Sequence, residues 1–242
     1  MIFNLFKSKP TLRELIPNGF VDIHSHILPG IDDGAKNIDE SIELISEMKK
    51  LGFSKIIGTP HTYQGLYENT ANSIQNSFNN LNKEKLGNIK ISYASEYLIN
   101  KKLVEMSEEK NLLCLKDNYL LVEMSYLSKP INLYDILFKL QINGYIPILA
   151  HPERYRFLYD DLSEFSKLKN VGCKFQMNLL SMTGFYGKDV AKTCDYLIKK
   201  NYINFFGTDA HNLRHLKNIE NKILINNYDK IEKLLINNSF FI

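Results

Sequence analysis

Residues 20–26 of the chain read FVDIHSH. The run begins with apolar residues typical of a strand that is buried on both faces, and it ends with two histidines. His24 and His26 are two positions apart, so on a strand their side chains point to the same side. The stretch therefore predicts a buried strand that carries two imidazoles at its carboxyl end.

The same arrangement, an apolar run followed by a polar residue, recurs along the chain. Such runs alternate with stretches of helical periodicity, which is typical of a parallel sheet covered by helices. We therefore expect an α/β fold in which seven strand–helix units close into a barrel, with an open doubly wound sheet as the alternative. The predicted strands are 20–24, 55–59, 89–95, 119–123, 146–150, 173–177 and 203–207, and the predicted helices are 38–51, 70–86, 133–143, 186–200 and 228–235.

The composition of the chain fits one globular domain. The chain has 242 residues, of which 44% are hydrophobic and 24% are charged, and about 250 residues is a usual size for an α/β barrel. A formal net charge of +3 gives no argument for nucleic acid or an anionic membrane as a partner. We expect a leader, 1–19, whose apolar start MIFNLF is a frayed end or touches a membrane or partner, and one domain, 20–242.

Targeting signals and cysteine usage bear on the compartment. No apolar run approaches the roughly 18 residues that a transmembrane helix needs, and the first residues lack a signal-peptide pattern. The three cysteines cannot pair completely, which favours a reducing compartment. These features predict a cytoplasmic protein without a transmembrane segment.

Histidine or a carboxylate follows six of the seven predicted strands. Active sites of barrels and open α/β sheets are built at the carboxyl ends of strands. One such residue often has a purely structural role, but five of the six histidines of the chain occupy these ends. Imidazole and carboxylate without thiolate suit Mn, Fe, Zn or Mg, and eight ligands exceed what one catalytic zinc needs. We expect two or three divalent ions, held by His24, His26, His61, Glu96, Glu123, His151, Asp209 and His211.

Further polar residues lie close to these strand ends. In the loop that follows the first strand, we expect Asp33 rather than Asp32 to face the metals as a ligand or a general acid, a simple turn being the alternative. Arginine is scarce in this lysine-rich chain, and both Arg154 and Arg214 follow predicted ligand strands. A planar guanidinium suits phosphate oxygens, although surface salt bridges would also explain these arginines. His215 and Arg156 are expected to be bystanders at the surface.

These residue types indicate a reaction class. Divalent ions activate water and neutralise a phosphoryl group, so the pattern predicts phosphoester hydrolysis by a metal-activated hydroxide without a covalent intermediate. No cysteine is followed six positions later by arginine, and no GxSxG motif occurs. A thiol or serine nucleophile is therefore disfavoured.

The motifs, taken in order, resemble those of a known family. DIHSHILPGIDDG, GTPHTYQGLYENT, SEY, VEMS, ILAHPERY and GTDAHN together resemble the polymerase-and-histidinol-phosphatase (PHP) superfamily. Within it, they resemble most the bacterial capsule and exopolysaccharide protein-tyrosine phosphatases of the CpsB/YwqE type, over about residues 20–242. The resemblance implies a distorted (β/α)7 barrel with a trinuclear metal site, often of manganese or iron, at the carboxyl ends of the strands.

The resemblance also implies ligand groupings. His24, His26 and Asp209 would hold one ion, and Glu96 would bridge it to a second ion that Glu123 and His151 also hold. His61 and His211 would hold the third ion. Arg154 and Arg214 would bind phosphate.

The implied substrate is the phosphorylated tyrosine-rich tail of a membrane-associated bacterial tyrosine kinase that controls capsule or exopolysaccharide synthesis, and this kinase would recruit the enzyme to the inner face of the membrane. The helix that starts near Asp39 resembles one used for ring-like self-assembly, with an ordinary barrel helix as the alternative. The competing functions are a small-molecule phosphatase of the histidinol-phosphatase type and a non-catalytic metal-binding regulator of a kinase. An aromatic rim for the substrate ring is a further expectation, from Tyr63, Tyr67, Tyr155 and Tyr186.

Overall fold

The structure, a computed structural model, describes residues 8–81 and 86–242. Its strands coincide closely with the apolar runs of the sequence, and every strand pair is parallel. The MIFNLF segment lies outside the described residues. The strands are β1 (Phe20–Ser25), β2 (Phe53–Gly58), β3 (His61–Thr62), β4 (Lys90–Tyr93), β5 (Glu96–Leu98), β6 (Tyr119–Glu123), β7 (Ile146–Ala150), β8 (Lys174–Asn178) and β9 (Phe205–Gly207).

The strands form a closed barrel. One sheet has the order β1-β2-β4 and the other the order β3-β5-β6-β7-β8-β9. In sequence, β3 continues β2 and β5 continues β4, each after a break of two residues. The nine segments therefore correspond to seven barrel strands, two of which are interrupted. The seam closes where Asp209 N donates to His24 O over 2.8 Å and His26 N donates to Ala210 O over 3.0 Å. The expected closed barrel is therefore confirmed over the open sheet.

Helices surround the barrel. None of the described helices combines the length and the apolar character needed to cross a membrane. The α-helices are α1 (Leu12–Leu15), α2 (Ile38–Lys50), α3 (Ala71–Asn79), α4 (Lys101–Glu108), α5 (Leu133–Ile142), α6 (Ser163–Asn170), α7 (Lys188–Lys199), α8 (Leu213–Lys217) and α9 (Ile231–Leu235). Short 3-10 helices span Pro152–Arg154, Arg156–Leu158, Leu179–Thr183, Asn218–Glu220, Tyr228–Lys230 and Ile236–Phe241.

The helix predictions differ in how well they match. α2, α5 and α7 lie close to their expected bounds. The predicted helix 228–235 is a 3-10 turn followed by α9, and the predicted helix 70–86 ends already at Asn79, while 82–85 lie outside the described residues. α4 and α6 were not predicted, because each has only eight residues and buries too few apolar side chains to show a period.

The interior of the barrel is filled at its amino-terminal end. Phe241 from the last 3-10 helix is fully buried, and its ring lies 4.9 Å from Phe205 and 6.0 Å from Tyr119, which begin β9 and β6. This filling leaves the carboxyl ends of the strands as the end where polar side chains gather. Phe241 belongs to an apolar cluster of buried side chains, which consists of Val21, Ile23, Ile57, Ala94, Leu115, Leu121, Ile148, Ala150 and Phe241.

Two predictions about the periphery stay predictions. α1 precedes the expected domain start, but Leu12 and Leu15 are buried and Leu12 N donates to Asn221 O over 2.9 Å, so the described part of the leader packs on the domain. α2 buries Leu44, Ile45 and Met48 like an ordinary barrel helix. The role of α2 in self-assembly stays a prediction.

Candidate metal centre

The eight predicted ligands converge at the carboxyl ends of the strands, and Asp33 joins them. Their nitrogen and oxygen atoms fall into four overlapping groups, in each of which the ligand atoms lie within 4.8 Å of one another. Because the groups share members, they form one continuous polar centre. The groups are His26, Asp33, His61 and His211; His24, His151 and Asp209; His24, His26 and Glu96; and His61, Glu96 and Glu123.

The chain turns sharply at two of these ligands. His151 follows β7 with a φ of 37°, and Asp209 follows β9 with a φ of 51°. A non-glycine residue rarely adopts this left-handed conformation, and such strain is often found at functional sites. Here the two residues lie one and two positions after their strands, and both side chains are buried in the centre.

Glu96 occupies the middle of the centre. Its Oε2 lies 3.1 Å from His24 Nε2 and 3.2 Å from His61 Nδ1, and its Oε1 lies 3.0 Å from His151 Nε2. Among the described residues, Glu96 Oε2 and His61 Nδ1 have no hydrogen-bond partner of acceptable geometry, although both atoms are buried. Buried polar atoms without partners are costly, and a bound cation would satisfy both.

The electrostatics of two members of the centre, Glu123 and His151, point in the same direction. Burial, and then the charge of Glu96, raises the pKa of Glu123. Burial also lowers the pKa of His151 to about 4, which keeps its imidazole neutral and able to act as a ligand. Carboxylates this close repel one another unless positive charge lies between them. Nitrogen and oxygen donors without sulfur, together with the unpartnered atoms, fit divalent metal ions.

Two residues outside the predicted ligand set orient the histidines. Gln176 Oε1 lies 2.7 Å from His24 Nδ1, and Asp32 Oδ2 lies 2.7 Å from His26 Nδ1. Both contacts engage Nδ1, so each ring presents Nε2 to the centre. Gln176 lies on β8, whose end carries no histidine or acid. Its role could therefore be identified only once the pairing of β8 with its neighbouring strands was known.

The two acids of the loop after β1 have different positions. The Asp32 side chain is fully buried and also accepts from Gly34 N and His61 N. The Asp33 side chain is 51% exposed, and its Oδ1 lies 3.5 Å from His61 Nε2 and 3.4 Å from His211 Nε2. Of the pair, Asp33 is the one whose carboxylate belongs to a ligand group, whereas Asp32 contacts His26 and His61 from behind that group.

The two arginines proposed to bind phosphate also differ in their position relative to the centre. Arg154 Nη1 donates to Asp209 Oδ2 over 2.5 Å, directly beside the centre. Arg214 is exposed, and its guanidinium lies 5.7 Å from the centre of the Phe185 ring, without joining a ligand group. Arg156 is exposed, as expected, whereas His215 is partly buried and its Nδ1 lies 3.2 Å from Asp209 O.

The candidate rim tyrosines have individual environments. Tyr155 is fully buried, and its hydroxyl accepts from Met124 N, so it belongs to the core. Tyr67 stacks on His61 with ring centres 5.5 Å apart. Tyr186 lies under Arg154, with 4.0 Å from the guanidinium carbon to the ring centre. Tyr126, which was not expected, lies on the same guanidinium at 5.0 Å.

Comparisons with known proteins identify the family of the chain. A family model described as capsular polysaccharide synthesis, CpsB/CapC, matches residues 20–238. The tyrosine-protein phosphatase YwqE of Bacillus subtilis is 32% identical over 198 residues, which cover 80% of this chain and 78% of that protein.

Two solved structures resemble the chain. One is described as crystal structures of YwqE from Bacillus subtilis and CpsB from Streptococcus pneumoniae, unique metal-dependent tyrosine phosphatases; its TM-score is 0.76 at 31% identity, with 82% of this chain and 84% of that chain covered. Histidinol phosphate phosphatase from Lactococcus lactis has a TM-score of 0.54 at 15% identity, with 83% and 90% covered, and shows the fold alone.

Proposed function

The chain belongs to the CpsB/CapC family of capsular polysaccharide synthesis, and we propose that it is a metal-dependent protein-tyrosine phosphatase. The observation that carries the proposal is the convergence of five histidines and four carboxylates on one centre, with Arg154 directly beside it. Such a centre suits the binding and hydrolysis of a phosphate ester.

We assign two or three divalent ions to the centre, with manganese as the first candidate and iron or zinc as others. When bound, such ions lower the pKa of water and neutralise charge on a phosphoryl group. Glu96 would serve as a shared ligand: it belongs to two of the groups, as do His24, His26 and His61, and unlike these histidines it offers two oxygen atoms. The proposed ligands are His24, His26, His61, Glu96, Glu123, His151, Asp209 and His211.

Three further side chains have proposed roles around the phosphate. Arg154 holds phosphate oxygens with the guanidinium nitrogens that Asp209 does not engage. Arg214, exposed beside Phe185, would close on the phosphate from solvent. Asp33 serves as a ligand or as a general acid, and its position between His61 and His211 favours the ligand role.

A thiol nucleophile does not fit the structure. Cys114 and Cys173 precede β6 and β8, at the barrel end opposite the metal centre, and Cys194 lies within α7. Burial raises the pKa of the Cys114 and Cys173 thiols to about 11 and about 12, so both remain protonated at neutral pH. Together with the ligand groups, this favours hydrolysis through metal-activated water.

Relatives of the chain support a phosphotyrosine protein as substrate. YwqE of Bacillus subtilis is named a tyrosine-protein phosphatase, and the solved YwqE and CpsB structures are described as metal-dependent tyrosine phosphatases. We therefore propose as substrate the phosphotyrosine tail of a membrane-associated bacterial tyrosine kinase, which would recruit the phosphatase to the inner membrane face.

The test is a comparison of two substrates with the purified, manganese-loaded protein. Release of phosphate from a phosphotyrosine peptide, with little from histidinol phosphate, is the expected result. Activity on histidinol phosphate alone would replace the proposal by the small-molecule alternative. Stabilisation by metal without turnover of either substrate would identify a non-catalytic regulator.

A further inference from the structure

The Arg154 guanidinium lies over two aromatic rings. Its guanidinium carbon is 4.0 Å from the centre of the Tyr186 ring and 5.0 Å from the centre of the Tyr126 ring. Tyr126 comes from the loop after β6, and Tyr186 comes from the loop before α7. Two separate segments of the chain therefore meet on one guanidinium group.

Each of the two rings also contacts a residue at or next to the candidate metal centre. Asn178 Nδ2 lies 3.2 Å from the Tyr186 hydroxyl and also 3.2 Å from Asp209 Oδ2. The Tyr126 ring stacks on His151 at 5.7 Å between centres, and its hydroxyl lies 3.4 Å from His151 Nδ1. Each tyrosine thus contacts the arginine and a group at or next to a proposed ligand.

We propose that Tyr126 and Tyr186 are positioning residues, whose rings hold the Arg154 guanidinium in the orientation that binds phosphate. The inference rests on the proposed phosphatase function, because it concerns how that site binds the phosphoryl group. Stacking on two aromatic faces favours the charged guanidinium and removes most of its rotational freedom before the substrate arrives. Among the described residues only Asp209 accepts a hydrogen bond from the Arg154 side chain, so the remaining guanidinium nitrogens are available to a phosphate.

This arrangement has a consequence for substrate recognition. A ring face that is covered by Arg154 is not available to stack on a phosphotyrosine ring. The two tyrosines therefore act on the phosphate through the arginine, and their removal should weaken binding of phosphate itself as well as binding of a phosphotyrosine peptide.

The experiment measures binding of inorganic phosphate to the manganese-loaded protein by calorimetry, together with metal content and thermal unfolding. The variants are Tyr186→Leu, Tyr186→Phe, Tyr126→Leu and Tyr126→Phe. Tyr202→Leu is the matched control, because Tyr202 lies before β9 at the opposite end of the barrel. The measurements use saturating manganese, which keeps the centre filled even where the contact of the Tyr126 hydroxyl with His151 is lost. Under this condition we expect each leucine variant to weaken phosphate binding roughly ten-fold, and each phenylalanine variant to stay within about two-fold of the parent.

Kinetics on a phosphotyrosine peptide then separate the outcomes. A rise in KM that parallels the loss of phosphate affinity supports positioning through Arg154. A rise in peptide KM with unchanged phosphate affinity would overturn the proposal, since the rings would then contact the substrate directly. Unchanged phosphate affinity in the folded, metal-loaded leucine variants would overturn it as well. If the parent protein hydrolyses no phosphoester, the proposed function fails, while the calorimetry still decides whether the rings position Arg154.

Discussion

The carboxylate of Asp209 joins Arg154 to the metal centre. Its Oδ2 accepts from Arg154 Nη1 over 2.5 Å, while its Oδ1 lies 3.4 Å from His24 Nε2 and 3.2 Å from His26 Nε2. One oxygen therefore faces the arginine and the other faces the histidines. This division lets a proposed metal ligand fix the position of a proposed phosphate-binding group.

Arg154→Ala should abolish tight phosphate binding and leave most of the metal bound. Asp209 keeps the hydrogen bond from Asn178 Nδ2, so its carboxylate stays oriented without the arginine. We expect kcat/KM on a phosphotyrosine peptide to fall about 100-fold, the usual effect of losing a preorganised donor. Metal analysis and phosphate calorimetry check the two halves of this prediction, with exposed Arg156→Ala as the control. Near-normal turnover in Arg154→Ala would remove this residue from the site.

Gln176→Leu should weaken metal binding although Gln176 is not a proposed ligand. The substitution removes the partner of His24 Nδ1 and leaves the His24 ring free to reorient. Loss of such a contact typically lowers metal affinity about 10- to 100-fold. A competition titration with a chelator measures the change, and Gln75→Leu on the exposed face of α3 serves as the control. Equal metal affinity in both variants would contradict an orienting role for Gln176.

Metal removal should destabilise the protein and stop turnover. Ions that bind only the native state stabilise it by mass action, so saturating manganese should raise Tm by about 5–10 °C relative to chelated protein. His151→Ala should lose most of this increment, because it removes a buried ligand beside Glu96. Differential scanning calorimetry with and without chelator gives the shift. Iodoacetamide should leave turnover intact, and inhibition by this reagent would instead point to a thiol mechanism.

Lys169 should give the stability of the protein a specific pH dependence. Burial lowers the pKa of this lysine to about 8, while its Nζ donates to Asn204 Oδ1 over 2.6 Å. The folded state therefore binds fewer protons than the unfolded state between about pH 8 and 10, and this group contributes stability that rises with pH in that window. Lys169→Met should remove the rise and stabilise the protein by about 1 kcal/mol at pH 7. Urea unfolding from pH 7 to 10 measures both effects, and parallel pH profiles for the two proteins would contradict the assignment.

The strands and the ligand types could be predicted from local sequence. A buried strand has a short apolar run and a period of two, so FVDIHSH predicts both the strand and the common side of His24 and His26. Short, polar helices such as α4 have no comparable signal. The same limit applies to Gln176, whose type and spacing resemble those of many structural residues.

The sequence by itself determined the strands of the barrel, the kinds of ligand and the end of the barrel at which the ligands gather, because these depend on residues that are neighbours in the chain. Only the tertiary structure decided which atoms meet. Gln176 is 152 positions from His24, and Arg154 is 55 positions from Asp209. Such contacts depend on strand register and on closure of the barrel between β9 and β1, which set distances between segments that local patterns leave free.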